Sequence, residues 1–300
     1  MSDLLWGIDL GGTKIEGVAI YSTPDLKVVE RMRVPTEADQ GYDHILSQIK
    51  KLIDQIGEKT NAYPSFLGIG TPGIVDKETH LIKNSNTLGL IGRPMKEDLE
   101  NLLGIQVKMA NDANCFAMAE AQLGAVPDYV KNPEVVFGVI MGTGVGSGIV
   151  VNGKVIHGKH GIGGEWGHNV LDETGDLCYC GKKGCVETFI SGPACEKYYA
   201  KLSGQKIKMA EIYNRYQQGE SFAIETMQRF IYYFGKAVAV VINIIDPEII
   251  VFGGGLGNLD ILYNQGREEV RKYIFNYELK TLFVKPKLGD SAGVIGAALL

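Results

Sequence analysis

The sequence predicts an α/β protein built from two domains, and three observations carry that prediction. Apolar strand patterns alternate with helical ones over the first 123 residues, the grammar of an α/β domain. From Val135 onward the pattern restarts, and a strand, glycine turn, strand unit there echoes one near the start, with Thr13 and Thr143 in corresponding places. Glycine supplies 39 of the 300 residues, close to twice the usual ~7%, with no triplet repeat or low-complexity run to absorb it. Such a surplus belongs where the backbone takes positive φ or comes close to something bound.

Residues 4–10 and 15–20 are apolar, β-branched runs separated by Gly11-Gly12-Thr13-Lys14, the pattern of a hairpin. A third strand is expected over 26–33. Between 42 and 56, Ile45, Ile49, Leu52, Ile53 and Ile56 recur at helical spacing, with Gly57 as the stop signal. A strand over 66–70 ends in the turn Thr71-Pro72-Gly73. The helix over 95–103 stops at Gly104, and the strand over 106–110 leads to Asn111 or Asp112 as the cap of an Ala-rich helix reaching 123. After the strand 135–141, a glycine loop spans 142–148 and the next strand 148–151. Beyond a loop-rich stretch over 158–184 come helices over 193–202, 210–218 and 221–245, the last stopped by Pro247. A strand over 248–252, a loop opened by Gly253-Gly254-Gly255, and an apolar helix over 293–300 complete the chain.

The net charge of −5 lacks the basic surplus of a nucleic-acid binder. No charged start followed by an apolar run marks a signal peptide. The longest apolar stretch, 237–245, is broken by Asn243 and is too short for a bilayer. A cytoplasmic protein with neither nucleic-acid nor membrane partner is therefore expected. Five cysteines, three of them packed into Cys178, Cys180 and Cys185, argue against a disulfide framework.

Gly11 to Lys14 lacks the Gly-Lys-Ser/Thr ending of a P-loop, and Gly142 to Gly148 leads into a strand rather than the helix of a dinucleotide fingerprint. What remains is a pair of hairpin turns whose N–H groups and Thr hydroxyls can cradle phosphate, or two plain tight turns. Asp9, ending an apolar strand beside the first turn, can hold Mg²⁺ through water or cap the turn. Asn111-Asp112 suits a helix N-cap, and a carboxylate there is also placed to accept a proton from a hydroxyl attacking a γ-phosphate. Cys178, Cys180 and Cys185, with His168 ten residues upstream of the first, supply the ligand set of a closed tetrahedral zinc; reduced structural thiols are the alternative. Glu165 and Glu187 flank that cluster, where rigid carboxylates accept sugar hydroxyls.

Taken together, Ile8-Asp9-Leu10-Gly11-Gly12-Thr13-Lys14, Gly68-Ile69-Gly70-Thr71-Pro72-Gly73, Asn111-Asp112-Ala113-Asn114, Gly142-Thr143-Gly144, Gly164-Glu165-Trp166-Gly167-His168, the Cys178 to Glu187 run and Phe252-Gly253-Gly254-Gly255 resemble the ROK family of sugar kinases. The resemblance implies an actin-like, sugar-kinase (ribonuclease H-like) fold of two α/β domains around a cleft. Residues 1–117 would form the smaller domain, with 290–300 packing back on it, and 118–289 the larger. It implies ATP and Mg²⁺, transfer of the γ-phosphate to the 6-hydroxyl of a hexose, and a structural Zn²⁺ on His168, Cys178, Cys180 and Cys185. Asp112 would be the base, and Asn86, Asn111, Asp112, Glu165, His168 and Glu187 would contact the sugar. Asp9, Gly11, Gly12, Thr13, Lys14, Gly142, Thr143 and Gly144 would serve the phosphates, and Gly254 and Gly255 the adenosine. A homodimer is expected.

Within the family, Trp166 and the run from Cys178 to Gly192 resemble bacterial fructokinases of the manno-fructokinase type, so fructose is the expected substrate. N-acetylglucosamine, glucose or mannose kinases, and a sugar-sensing relative without kinase activity, are the alternatives. With the kinase pattern starting at residue 4, the DNA-binding module of a repressor is not expected ahead of it. An actin-like or chaperone-like ATPase would share the hairpins but gives no reason for the cysteine cluster.

Overall fold

The computed structural model describes residues 4–21, 26–85 and 87–300. Leu5–Leu10 (β1) and Lys14–Tyr21 (β2) pair antiparallel, Asp9 opposite Glu16, and Lys27–Pro35 (β3) pairs antiparallel with β2. Tyr42–Thr60 (α1) leads to Phe66–Thr71 (β4), which runs parallel to β1. Ile74–Val75 (β5) and Ile82–Lys83 (β6) form a small separate pair. Met95–Leu103 (α2) precedes Gln106–Asn111 (β7), parallel to β4, and Asp112–Gln122 (α3) follows directly. The first sheet has the order β3-β2-β1-β4-β7.

Val135–Met141 (β8), Val145–Val151 (β9) and Lys154–Val155 (β10) begin the second sheet. Helices follow at Glu187–Ile190 (α4), Gly192–Ser203 (α5), Met209–Gln217 (α6) and Ser221–Ile245 (α7). Ile249–Gly253 (β11) runs parallel to β8 and opens into Gly254–Gly257 (α8); Gln265–Arg271 (α9) leads to Leu282–Val284 (β12), parallel to β11. The order β10-β9-β8-β11-β12 repeats the plan of the first sheet: a hairpin and a third strand on one side, parallel strands on the other. The echo between Thr13 and Thr143 is thus an echo of topology.

One unit takes the chain up to Lys131, Gly148–Gly164 and Lys287–Leu300; the other takes Asn132–Ser147 and Glu165–Pro286. The division expected at residue 117 falls inside α3, a continuous helix whose Ala113, Cys115, Phe116, Ala117 and Ala119 are buried. The first unit instead continues to Lys131, and it also takes 148–164, which the sequence reading assigned to the larger domain.

The core of the first unit lies between α1 and its sheet, with Ile8, Ile15, Ile45, Ile49, Leu52 and Ile56 essentially fully buried. Here α1 outruns its expected stop at Gly57: it continues to Thr60 and is ended by Asn61, whose φ of 49° puts it in the left-handed region. The missing side chain at Gly57 serves packing, since a Cβ there would stand 2.8 Å from the Tyr63 ring. The final helix, Ala292–Ala298 (α10), belongs to the same unit. It lies almost backbone to backbone on its neighbours: a Cβ on Gly7 would fall 2.3 Å from the Val294 oxygen, on Gly68 1.7 Å from the Ala297 oxygen, and on Gly296 1.8 Å from the Cys115 oxygen.

Two further expectations shift. The strand β9 begins at Val145, so the glycine turn is only Gly142, Thr143 and Gly144; Gly148 sits inside the strand, bare because the Ala113 oxygen and Ala117 Cβ of α3 would each lie 2.8 Å from a side chain there. Gly254 and Gly255 begin the short helix α8 rather than a loop. Among the described residues no helix is long and apolar enough to cross a membrane.

Candidate functional site

The first unit carries Asp9, the first hairpin turn, Asn111 and Asp112. Thr36, buried, braces the turn from β3: its hydroxyl donates to the Gly11 oxygen at 2.7 Å and its N–H to the Thr13 oxygen at 3.0 Å, while the Gly11 N–H donates to the Lys14 oxygen at 3.0 Å. Gly12, Thr13 and Lys14 are left at the surface. Asp9 sits opposite Gly70 on β4 and Glu16 on β2. Side chains at Gly70 and Gly293 would reach within 3.4 and 3.1 Å of its carboxylate, so both glycines make room for it. Glu16 is 2% exposed and is held by Arg31 and by Arg33, the latter at 2.7 Å.

Burial pushes the Asp9 carboxyl up to about 6, with Asp112 and Glu16 adding to the rise and Lys14 and Arg33 opposing it. A carboxyl raised from 3.8 holds its proton more tightly in the folded chain than in the unfolded one. Stability therefore falls as pH rises from about 4 to about 6 and stays lower above that window. The cost at neutral pH is on the order of 3 kcal/mol. Asp9→Asn is expected to raise the urea midpoint at pH 7.5, measured without nucleotide or Mg²⁺, and to flatten the pH dependence in that window. An unchanged midpoint would show that the carboxyl is not strained by its surroundings.

The strand β7 delivers Asn111 to the N-terminus of α3, where its side chain accepts the Asn114 N–H at 2.8 Å as the N-cap. Asp112, the first helical residue, is open to solvent, yet enough protein surrounds its carboxyl to raise it above the ordinary range. The Ala113 N–H, donating to Oδ1 at 2.8 Å, and its own N–H oppose that rise. Asn111 and Asn114 line a cavity of about 370 Å³ together with Ile74 and His157. The Asn114 Oδ1 is buried without a partner among the described residues. Asn86 lies outside the described residues.

The second unit carries the other turn, both glutamates and the cysteine cluster. The Gly142 N–H donates to the Gly144 oxygen at 2.9 Å, and the Gly192 N–H to the Gly142 oxygen at 2.8 Å. Glu187 Oε2 accepts the Val145 N–H at 2.9 Å, and a Cβ on Gly144 would stand 2.6 Å from it. Glu187 is thus tied to the glycine turn. Gly254, with φ of 76°, packs against Met141, whose oxygen would be 2.3 Å from a side chain there, while Gly255 faces open space. Gly167 lies flat on β9, where a Cβ would meet the Val145 oxygen at 2.0 Å, and this sets the 166–168 turn carrying Glu165 and His168 against the same strand.

His168, Cys178, Cys180 and Cys185 bring one ligand atom each to within 4.8 Å of one another. Nδ1 of His168 is 3.5 Å from Cys178 Sγ, and Cys180 Sγ is 3.5 Å from Cys185 Sγ. A tetrahedral zinc needs edges of about 3.5 Å between N and S and about 3.8 Å between S and S, so the donor set and its spacing fit. Burial raises the Cys178 thiol and pushes Cys185 up to about 12, so a metal binding here displaces thiol protons. Gly181 and Gly184 take positive φ, and a side chain on Gly184 would strike the Asp172 oxygen at 1.7 Å. Position 184 tolerates nothing larger.

Sequence reasoning passed over Tyr179. Its hydroxyl lies 2.9 Å from His168 Nε2, with the two rings edge to face at 5.0 Å. Surrounding protein, then Glu187 and Glu165, push its phenol up to about 12. The acids, the imidazole and this tyrosine therefore share one neighbourhood. The only signal for it was an aromatic side chain between two ligands.

The ROK family pattern matches residues 5–300. The chain belongs to the ROK family. N-acetyl-D-glucosamine kinases from Vibrio atlanticus (strain LGP32) and Vibrio cholerae serotype O1 (strain ATCC 39315 / El Tor Inaba N16961) are 36% and 35% identical to it, each covering 99% of this chain and 99% of the relative. The solved ROK hexokinase from Thermus thermophilus is 30% identical with a TM-score of 0.88, covering 99% of this chain and 97% of that one. This ROK protein is an ATP-dependent sugar kinase with the two-domain actin-like ATPase fold. The expected likeness to fructokinases is not what these relatives show, since both carry the name N-acetyl-D-glucosamine kinase. Trp166, which pointed to fructose, is a poor guide to the sugar. It is buried, packs edge to face on Phe137 at 5.7 Å and donates its indole N–H to the Ala237 oxygen at 3.2 Å, so it reports core packing.

Proposed function

We propose that this ROK kinase transfers the γ-phosphate of ATP to the 6-hydroxyl of N-acetyl-D-glucosamine. The observation that carries the substrate is the match to N-acetyl-D-glucosamine kinases over 99% of both chains. Asp112 accepts the proton of the sugar hydroxyl as its oxygen attacks the γ-phosphorus and ADP departs. Asn86, Asn111, Glu165, His168 and Glu187 orient the sugar. The turn from Gly11 to Lys14 and the turn from Gly142 to Gly144 cradle phosphate oxygens, and Gly254 and Gly255 border the adenosine. Asp9 holds Mg²⁺ through water; the ion, when bound, offsets the charge of the phosphates.

His168, Cys178, Cys180 and Cys185 hold a structural zinc, supported by their spacing. That clamp fixes the chain between Glu165 and Glu187 and orients the imidazole through Nδ1, and the exposed Tyr179 hydroxyl on Nε2 gives way to the sugar hydroxyl that His168 takes. A cytoplasmic homodimer is the proposed state. A panel of N-acetylglucosamine, fructose, glucose and mannose with ATP tests the substrate: kcat/KM for N-acetylglucosamine is expected to exceed the others by about 10²-fold, the discrimination open to a site that hydrogen-bonds a distinguishing group. Equal or higher kcat/KM for fructose overturns the reading.

A further inference from the structure

We propose that Glu120, which nothing above places in the reaction, is a positioning residue for Asp112 and Asp9. It is a fully buried carboxylate near the C-terminal end of α3 with no cationic partner among the described residues. Its oxygens are instead satisfied by main-chain donors. The Ala125 N–H donates to Oε2 at 2.8 Å, the Leu288 N–H to Oε1 at 2.9 Å, and the Lys287 N–H to both at 3.1 and 3.0 Å. Gly124 leaves the space for this: a Cβ there would fall 2.2 Å from Oε2.

A buried carboxylate is an expensive way to hold two segments together, and an apolar contact would serve for stability alone. What the carboxylate adds is direction, because several N–H bonds converge on one point and fix the joined segments in position. Residues 287 and 288 lead into α10. That helix touches α3 through bare Gly296 on the Cys115 backbone, and it presents bare Gly293 to the Asp9 carboxylate, 3.1 Å from where a Cβ would be. The helix α3 carries Asp112 at its other end, eight residues and about 12 Å away. Glu120 therefore sets α3 against α10, and with it the base against the carboxylate assigned to Mg²⁺. Lys287 reinforces the join through its ammonium, 2.7 Å from Asp128.

The proposal rests on Asp112 as the base. Glu120→Gln keeps the shape but turns one acceptor into an NH₂ facing N–H groups; Gly124→Ala keeps Glu120 and pushes its carboxylate off its donors. Both are expected to lower kcat by about 10- to 100-fold, the effect of a displacement near 1 Å at the reacting groups, with KM for sugar and ATP within about threefold. Assays are run well below each variant's melting temperature, beside Leu52→Ala, a core truncation at the α1 side of the same unit that lowers melting without touching α3. Melting lowered in all three with kcat lost only in the first two supports positioning. Wild-type kcat in either folded α3 variant, or an equal loss in Leu52→Ala, overturns it and leaves Glu120 a structural staple. Wild-type turnover in Asp112→Asn overturns the underlying assignment of the base instead, so the two failures are told apart.

Discussion

Asp112→Asn is expected to fold normally and to lose about 10²- to 10⁴-fold in turnover, the range for a general base. The fold survives because Asn keeps an oxygen where Oδ1 now accepts the Ala113 N–H, and the cap of α3 is made by Asn111. Removing a carboxyl that burial already raises lowers the melting temperature little or increases it. Chemistry suffers, because an amide cannot take the hydroxyl proton. The variant should bind ATP and sugar with affinities close to the parent, measured by calorimetry, while single-turnover phosphoryl transfer collapses. Near-normal turnover would remove Asp112 from the reaction.

Cys180→Ser is expected to release the metal and, with it, the sugar. The parent should carry about one zinc per chain, the stoichiometry of one four-ligand site, and the variant well under half of that by metal analysis. Few apolar contacts secure this segment: Leu177 and Tyr179 are 69% and 80% exposed, and Cys180 itself is at the surface. A metal bound there would therefore add much of the order between His168 and Cys185, since binding free energy at such a site is folding free energy. Losing it would loosen the segment that joins Glu165 to Glu187, so KM for the sugar should rise by about tenfold or more while KM for ATP changes less. A metal-free variant with parental KM for the sugar would refute the structural role.

Much of this was legible from local sequence, because the signals were local. Gly104 ends α2 where a left-handed residue was required, and Asn111 caps α3 through the next turn's N–H. The cysteine spacing assembled its cluster, since ten residues and a turn suffice to bring His168 back to it. Other features depend on partners remote in the chain. Glu120 meets residues 167 and 168 positions away. Glu248 uses its carboxylate on the N–H groups of Glu134 and Val135, more than 110 positions upstream. In sequence each is only an acid inside or beside an apolar run. Gly57 and Gly148 misled in a related way: each was read as punctuation, and each is bare because another element lies on top of it. Trp166 misled in the same way: it reads as part of a fructokinase-like motif, while its side chain belongs to the core.

The glycines at the contacts of α10 bear on how this protein can change by descent. Gly7, Gly68 and Gly296 touch backbone rather than any proposed ligand. A lineage that gave up phosphoryl transfer but kept the fold would have to retain all three, while the position of Asp112 became free to drift. Glycine at these sites is therefore demanded by shape alone, whatever chemistry the head of α3 carries.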